Sequence, residues 1–306
     1  MRLPRIFCSW VGLIALVLTS DARLAVGAAV EQPNLPAKLD RVGFDAVNLR
    51  RTGQNHLFIF GSVEGRRRSC LVDTGWSFTT VSTNTAGRLA ETNAIKNLRL
   101  GSLLLTNVPV VISDLRINGQ PASYDVVLGC DFLLRHQAIV DCGKARLFLR
   151  RETARVTSFD LESLLPKAGW VGIPLRQRTP AALTCVASIN GRATELLVDS
   201  GAMWSCLDQD FSAAAGLRAS ISLNRMTGPA ADRQRSYAVA DLKSWSLGGT
   251  PMPERTFAVF ALGDWGLGAN GKLFPDIEGI LGGAELEAWD ALIDCGNRKL
   301  WLRRKR

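Results

Sequence analysis

The chain has 306 residues, of which 47% are apolar and 21% charged, and a formal net charge of +9. That composition excludes a disordered chain and suffices for two domains of ordinary size, each with its own core. The basic residues cluster only at Arg66-Arg67-Arg68 and Arg303-Arg304-Lys305-Arg306 and are not interleaved with aromatic residues, so they read as solvated turns and a solvated tail, not as a nucleic-acid platform.

The N-terminus carries Arg2 and Arg5, then an apolar run from Ile6 to Leu18, then small-residue sites ending at Ala22 or Ala28. This pattern is a secretory signal over residues 1–28, and it implies export, to the periplasm or the medium if the source is bacterial. The run is shorter than the roughly 20 residues of a spanning helix, which puts an uncleaved anchor second; no other stretch could span a bilayer, and no stable membrane association is expected. Cys8 leaves with the signal, and Cys70, Cys130, Cys142, Cys185, Cys206 and Cys295 remain. No CxxC pair occurs, which argues against zinc ribbons and thioredoxin chemistry. Export permits disulfides, which the spacing does not pair, and buried free thiols are the alternative.

A repeated unit organises the rest of the chain. Residues 47–75, VNLRRTGQNHLFIFGSVEGRRRSCLVDTG, align without a gap on 173–201, IPLRQRTPAALTCVASINGRATELLVDSG. Strands are expected at Leu57–Val63 and Leu183–Ile189, each joined by a turn residue and a glycine, Glu64-Gly65 or Asn190-Gly191, to a second strand. That second strand ends in Leu71-Val72-Asp73-Thr74-Gly75 or Leu197-Val198-Asp199-Ser200-Gly201, with Asp199 lying 126 residues after Asp73. An acid at the end of a buried strand, followed by a hydroxyl residue and a glycine, suits the floor of a cleft. Two such loops facing each other give a pair of carboxylates.

The downstream part also repeats, VLGCDFLLRHQAIVDCGKARLFLRR (127–151) matching ILGGAELEAWDALIDCGNRKLWLRR (280–304) at an offset of 153. Each copy reads as a short strand, a glycine, one or two helical turns, a strand, a Cys-Gly turn and a last strand. Residues 29–150 form the N-terminal lobe, 151–169 a charged linker with a helical candidate at Phe159–Leu165, and 170–306 the C-terminal lobe. The longer offset means 27 extra residues in the second unit, about 21 of them between Ser205 and Leu247. This insert reads as a β-hairpin, Ile221–Met226 and Ser236–Leu242, with a turn-forming tip from Thr227 to Asp232.

These residues resemble the retropepsin-like aspartic protease family and, in their two-lobed single-chain arrangement, the pepsins. The resemblance covers most of residues 45–306 and rests on the two Asp-hydroxyl-Gly triplets, each with its own apolar-apolar-Gly partner, Val127-Leu128-Gly129 and Ile280-Leu281-Gly282. It implies an all-β fold of two pseudo-symmetric barrel lobes with a cleft between them, and an endopeptidase of the hydrolase class. Asp73 and Asp199 are then the catalytic pair, sharing one proton because like charges that near cannot both ionise. Thr74 and Ser200 lock the loops together, Gly75 and Gly201 admit the backbone close to the acids, and Gly129 and Gly282 let the crossing strands pass behind them. The hairpin becomes a flap over bound peptide, with Thr227, Gly228 and Pro229 at its tip. No metal or cofactor is needed, the partner is a protein or peptide substrate, and the working form is a monomeric pseudo-dimer. A true dimer is the alternative assembly, and a silent peptide-binding pseudoprotease the alternative function.

Two features depart from the family. The flap belongs to the C-terminal lobe, not the N-terminal lobe as in pepsins, and Trp76 follows the first triplet where a small residue is usual. Neither Trp76 nor its counterpart Ala202 brings the hydroxyl that pepsins place there, which implies a weakly acidic optimum. Other candidates read as structural. Asp141 and Asp294 sit beside Cys-Gly turns, where an acid makes local bonds. His56 and His136 lie in no nucleophile motif. Gly266-Leu267-Gly268-Ala269-Asn270-Gly271 fits GxGxxG without the strand and helix of a dinucleotide site and reads as a loop.

Overall fold

The computed structural model describes residues 34–303, apart from 88–91, 118–119, 122, 153–158, 167–168, 180, 227–234, 266, 268–273 and 275. The signal assigned to 1–28, the flap tip Thr227-Gly228-Pro229 and most of the 266–271 run lie outside the described residues. No helix among the described residues is long and apolar enough to cross a membrane.

Strands dominate, in two curled sheets, a third that both halves share, and a two-stranded pair, Arg116–Ile117 with Gln120–Pro121. In the first half, Leu57–Val63 pairs antiparallel with Arg66–Val72 through a turn in which Glu64 and Gly65 both have positive φ, 48° and 78°. Asn190 and Gly191 repeat this at 50° and 80° between Ala182–Ile189 and Arg192–Val198. Two successive positive φ values give the turn whose twist matches that of the flanking strands.

The strand that ends in the acid then receives a parallel neighbour. Val126–Leu128 lies on Cys70–Val72 with Val127 opposite Leu71, and Gly279–Leu281 lies on Leu196–Val198 with Ile280 opposite Leu197. The sequence repeat is thus preserved at the level of register. Gly129 and Gly282 sit where these strands pass the acid loops: a Cβ would fall 2.6 Å from the Phe78 carbonyl carbon at one, and 2.4 Å from the Trp204 oxygen at the other.

The shared sheet has the order Phe44–Asn48, Arg146–Arg150, Ile139–Asp141, Leu292–Asp294, Lys299–Arg303, Trp170–Pro174. Its centre is two-fold: Ile139 faces Asp294, Val140 faces Ile293 and Asp141 faces Leu292. Three strands from each half meet there, so the apolar side chains do not separate into the expected two cores. One cluster runs from Val72 and Leu128 through Val140 and Ile293 to Val198 and Leu281. The charged linker is also less free than its composition suggests. Its helix, Leu161–Leu164, is capped by Asp160, and Leu161 and Leu165 pack on Phe44, Phe148 and Trp301 of the shared sheet. The helix Leu35–Arg41, which the apolar pattern did not single out, adds Leu39 to the same cluster.

The insert in the second half is a hairpin, Ala219–Met226 with Arg235–Leu242, and its return strand continues the sheet by pairing with Arg255–Phe260. In the first half the helix Thr83–Ala86 stands between Thr80–Ser82 and Ala94–Leu100. Asp141 and Asp294 accept N–H bonds from Lys144 (2.8 Å) and Asn297 (3.0 Å), the local turn bonds expected of them.

All six described cysteines are buried free thiols, and burial pushes Cys70, Cys130 and Cys185 up to about 12. Cys142 and Cys295 do not pair. Their N–H groups bond to the carbonyls of Ala291 and Ala138, which extends the shared ladder in opposite directions. Because only thiolates attack aromatic disulfide reagents, we expect no release of colour from these six in the folded protein at pH 8. All six should react once a denaturant opens the fold.

Candidate active site

Each acid loop begins where its strand leaves the sheet. The N–H of Asp73 donates to Leu128 O at 3.1 Å, and that of Asp199 to Leu281 O at 3.0 Å. The side chain then folds back on its own turn. Asp73 Oδ1 accepts from the N–H groups of Gly75 (2.9 Å) and Trp76 (3.0 Å), and Asp199 Oδ1 from those of Gly201 (2.8 Å) and Ala202 (2.9 Å). Short acids favour this arrangement because the carboxylate reaches the amides two and three residues on. With one oxygen of each fixed, the carboxyl groups turn to each other and share a hydrogen bond.

The glycines make the approach possible. A Cβ at Gly75 would lie 2.2 Å from Asp199 Cγ, and one at Gly201 would lie 2.3 Å from Asp73 Cγ. Each loop therefore presents its bare backbone to the opposite acid. Beneath them the hydroxyls cross: Thr74 Oγ1 donates to Val198 O at 2.7 Å, and Ser200 Oγ donates to Val72 O at 3.0 Å. In return, Ser200 Oγ accepts from Thr74 N (3.1 Å) and Thr74 Oγ1 accepts from Ser200 N (2.9 Å). All four groups are buried, so each bond satisfies an atom that water cannot reach.

Burial first, and then the facing charge of Asp199, holds Asp73 well above the ordinary carboxylate value. Burial raises Asp199 as well, opposed by the hydrogen bond from Asp73, by its two backbone N–H donors and by the nearby His56. Two carboxyl groups that face each other this closely keep one proton between them, and that proton belongs to the pair.

Other groups at the site had no motif to mark them. Asp131 Oδ1 accepts from Thr79 N (2.7 Å) and Oγ1 (2.8 Å), while Gly129 N donates to Thr79 Oγ1 (3.3 Å). In the second half Glu285 accepts from Ser205 N (3.2 Å) and from its hydroxyl, and Gly282 N donates to Ser205 Oγ (2.9 Å). The shared offset of 126 between Thr79 and Ser205 was the available signal, but their acids sit one place out of register in the two copies. Trp76 packs into its own half among Phe58, Leu71, Tyr124 and Val127, and its Nε1 donates to Thr80 Oγ1 at 2.8 Å. Phe78 and Trp204, each five residues past an acid, stay exposed, and Trp204 tilts on Tyr237 of the hairpin with ring centroids 5.9 Å apart. No group of three or more His, Cys, Asp or Glu among the described residues could hold a metal ion.

Two facing carboxyl groups with one proton can take a proton and give one at the same place, which is what hydrolysis of an acyl bond by water requires. Residues 186–284 match the aspartyl protease family model. That stretch holds Asp199, Ser200, Gly201, Gly282 and the hairpin. Among solved structures the chain is similar to an aspartic proteinase from Irpex lacteus (15% identity, 86% of this chain and 98% of that one, TM-score 0.46). Basic 7S globulin from soybean is also similar (10% identity, 86% and 95%, TM-score 0.46). A retropepsin-like aspartic protease from Rickettsia conorii is similar over less of this chain (21% identity, 44% and 91%, TM-score 0.30). No curated protein matches.

The geometry sets two expected outcomes. Thr74→Ala leaves Ser200 N–H without its acceptor and Val198 O without its donor, and should cost about 1–3 kcal/mol in urea unfolding, with Thr74→Ser close to wild type. The folded chain also holds the dyad's protons more tightly than the unfolded chain does. The stability this brings is full below the ordinary carboxylate value and is lost as pH rises through the folded values. Asp73→Asn escapes that loss, so it should melt above wild type at pH 7, with the gap closing below about pH 4.

Proposed function

We propose that the protein is an exported aspartic endopeptidase that hydrolyses peptide bonds with a water activated between Asp73 and Asp199. The observation that carries this reading is the meeting of the two carboxyl groups, Asp73 buried and Asp199 half-buried, each fixed by two backbone N–H donors and each facing a residue with no side chain. The aspartyl protease match over residues 186–284 supports the same chemistry.

The steps balance with these groups alone. The ionised carboxylate takes a proton from water as the water oxygen adds to the scissile carbonyl carbon. The protonated partner meanwhile gives its proton to the carbonyl oxygen. When the tetrahedral diol collapses, the C–N bond breaks and the leaving nitrogen takes the proton first drawn from water. The hydroxyl proton returns to the partner, and the pair is ready again. No covalent intermediate forms.

The hairpin serves as the lid. Its return strand stands beside the second acid loop through the Tyr237–Trp204 contact, and an extended peptide beneath it can add main-chain bonds along an edge. Support for export comes from the basic and apolar pattern of residues 1–28. One chain supplies both acids and one lid, which favours a monomer.

The test is turnover of a mixed peptide library by the purified protein across pH, with a pepstatin-type mimic of the tetrahedral diol as inhibitor. Asp73→Asn and Asp199→Asn should each lower kcat/KM by about a hundredfold or more, and the pH profile should be bell-shaped with its maximum in weak acid. A folded protein that binds peptides and never cuts them would instead be the silent pseudoprotease.

A further inference from the structure

In the sequence Arg66-Arg67-Arg68 reads as a solvated turn, yet folding parts its members. Arg68 meets Asp125 at 3.4 Å. Arg67 instead lies over the ring of Phe60, its guanidinium carbon 4.3 Å from the ring centre, and Arg50 lies over the same ring at 5.5 Å. Strand pairing brings in a third guanidinium. Ser62 stands opposite Arg67 on one side and Arg99 on the other, and residues directly opposite each other in an antiparallel ladder share a face. Phe60, Ser62, Arg67 and Arg99 line a cleft of about 300 Å³.

The charges on this face are unanswered. Arg50, Arg67 and Arg99 are exposed, and none of them has a carboxylate partner among the described residues. Glu64, in the turn between the paired strands, accepts instead from Asn97 N at 3.0 Å. Large apolar groups stand beside the charges: Phe60 is 41% exposed, and Leu104, opposite Arg99, is 46% exposed. The strand that carries Leu104, Leu103–Pro109, is the last of its sheet. The fold itself does not require such a surface. The second half builds the same ladder with Ser188 between Ala193 and Ser246, and puts Val186 in the place of Phe60.

We propose that this face docks an acidic peptide segment, with its carboxylates in the cleft between Arg67 and Arg99 and its apolar side chains over Phe60 and Leu104. A guanidinium stacked on a ring keeps its N–H edge for a carboxylate, whose two oxygens match the planar fork. A phosphate-rich surface answers the charges but leaves Phe60 and Leu104 uncovered. An acidic chain with apolar residues answers both, and it can pair along the open edge of the sheet. The same face continues toward the dyad. Phe58 meets Phe60 edge-on with ring centroids 5.5 Å apart, and it packs with Trp76 on Leu71, Tyr124 and Val127. Ser69, opposite Phe60, comes four residues before Asp73, which is about 13 Å of strand. That the docked chain is also a substrate rests on the hydrolytic reading; the docking does not.

The test is fluorescence anisotropy of a labelled peptide alternating Glu and Leu, with the full chain carrying Asp73→Asn so that nothing is cut. Arg67→Gln combined with Arg99→Gln should weaken binding about tenfold or more, and Phe60→Ala severalfold. Arg192→Gln combined with Arg218→Gln removes two exposed charges from the second half and should leave binding close to that of the parent. A peptide alternating Gln and Leu should not bind. Equal losses from the two double variants overturn the proposal, because net charge alone then accounts for the binding. Absence of binding overturns it too, as does tighter retention of anionic phospholipid vesicles or of a single-stranded oligonucleotide. In the active protein, joining the acidic stretch to a cleavable peptide should lower KM with kcat unchanged, and the Arg67 and Arg99 double variant should lose that advantage. A protein that binds the acidic peptide and cuts nothing keeps the docking site and loses the hydrolytic reading. One that cuts while that double variant binds as well as its parent keeps the hydrolytic reading and loses the docking site.

Discussion

Two carboxyl groups pressed together, one buried and one half-buried, are the constraint on which the rest of this molecule depends. They repel when both are charged, and each loses hydration when it is buried. The fold meets the first cost with a shared proton and the second with four backbone N–H donors. It then closes the pair from below with hydroxyls that cross between the loops. The glycines at 75 and 201 are part of the same solution, since any side chain there would occupy the space of the opposite acid.

Holding two loops at that distance demands a rigid relation between the halves. The shared six-stranded sheet supplies it by pairing Ile139–Asp141 directly with Leu292–Asp294, so the strands of the two halves are joined at its centre. One continuous apolar cluster runs through both halves. Shear between the halves would therefore disturb the core as well as the site, and close packing makes such displacements costly. Symmetry is broken only where a repeated backbone carries unlike side chains or an added hairpin. His56 with Tyr124 is the first kind, and Ala219–Met226 with Arg235–Leu242 the second.

Much of this was legible in the residues. The gapless match of 47–75 on 173–201 gave the hairpins, their turns and the ends of the acid strands, because turn glycines and period-2 apolar runs are local signals. Asp73, Thr74 and Gly75 stood out with Asp199, Ser200 and Gly201 for the same reason. The helices Cys130–Arg135 and Gly283–Ala288 also came from the repeat. The fusion of the two cores did not. Neither did the docking of Leu161 and Leu165 on the shared sheet, nor the bonds of Asp131 and Glu285 to Thr79 and Ser205. These join positions far apart along the chain, and their partners carry no spacing rule. His56 read as an unremarkable histidine until folding set its ring on Tyr124.

The chain by itself determined a duplicated β unit, two acid loops and one inserted hairpin, since each is written in neighbouring residues. Only the tertiary structure decided that the loops meet face to face, that all six described thiols stay free, and that His56 bonds Tyr124. Such relations depend on which distant surfaces come to share the same few ångströms. That is fixed by sheet register and core packing together, and no local stretch of sequence contains it.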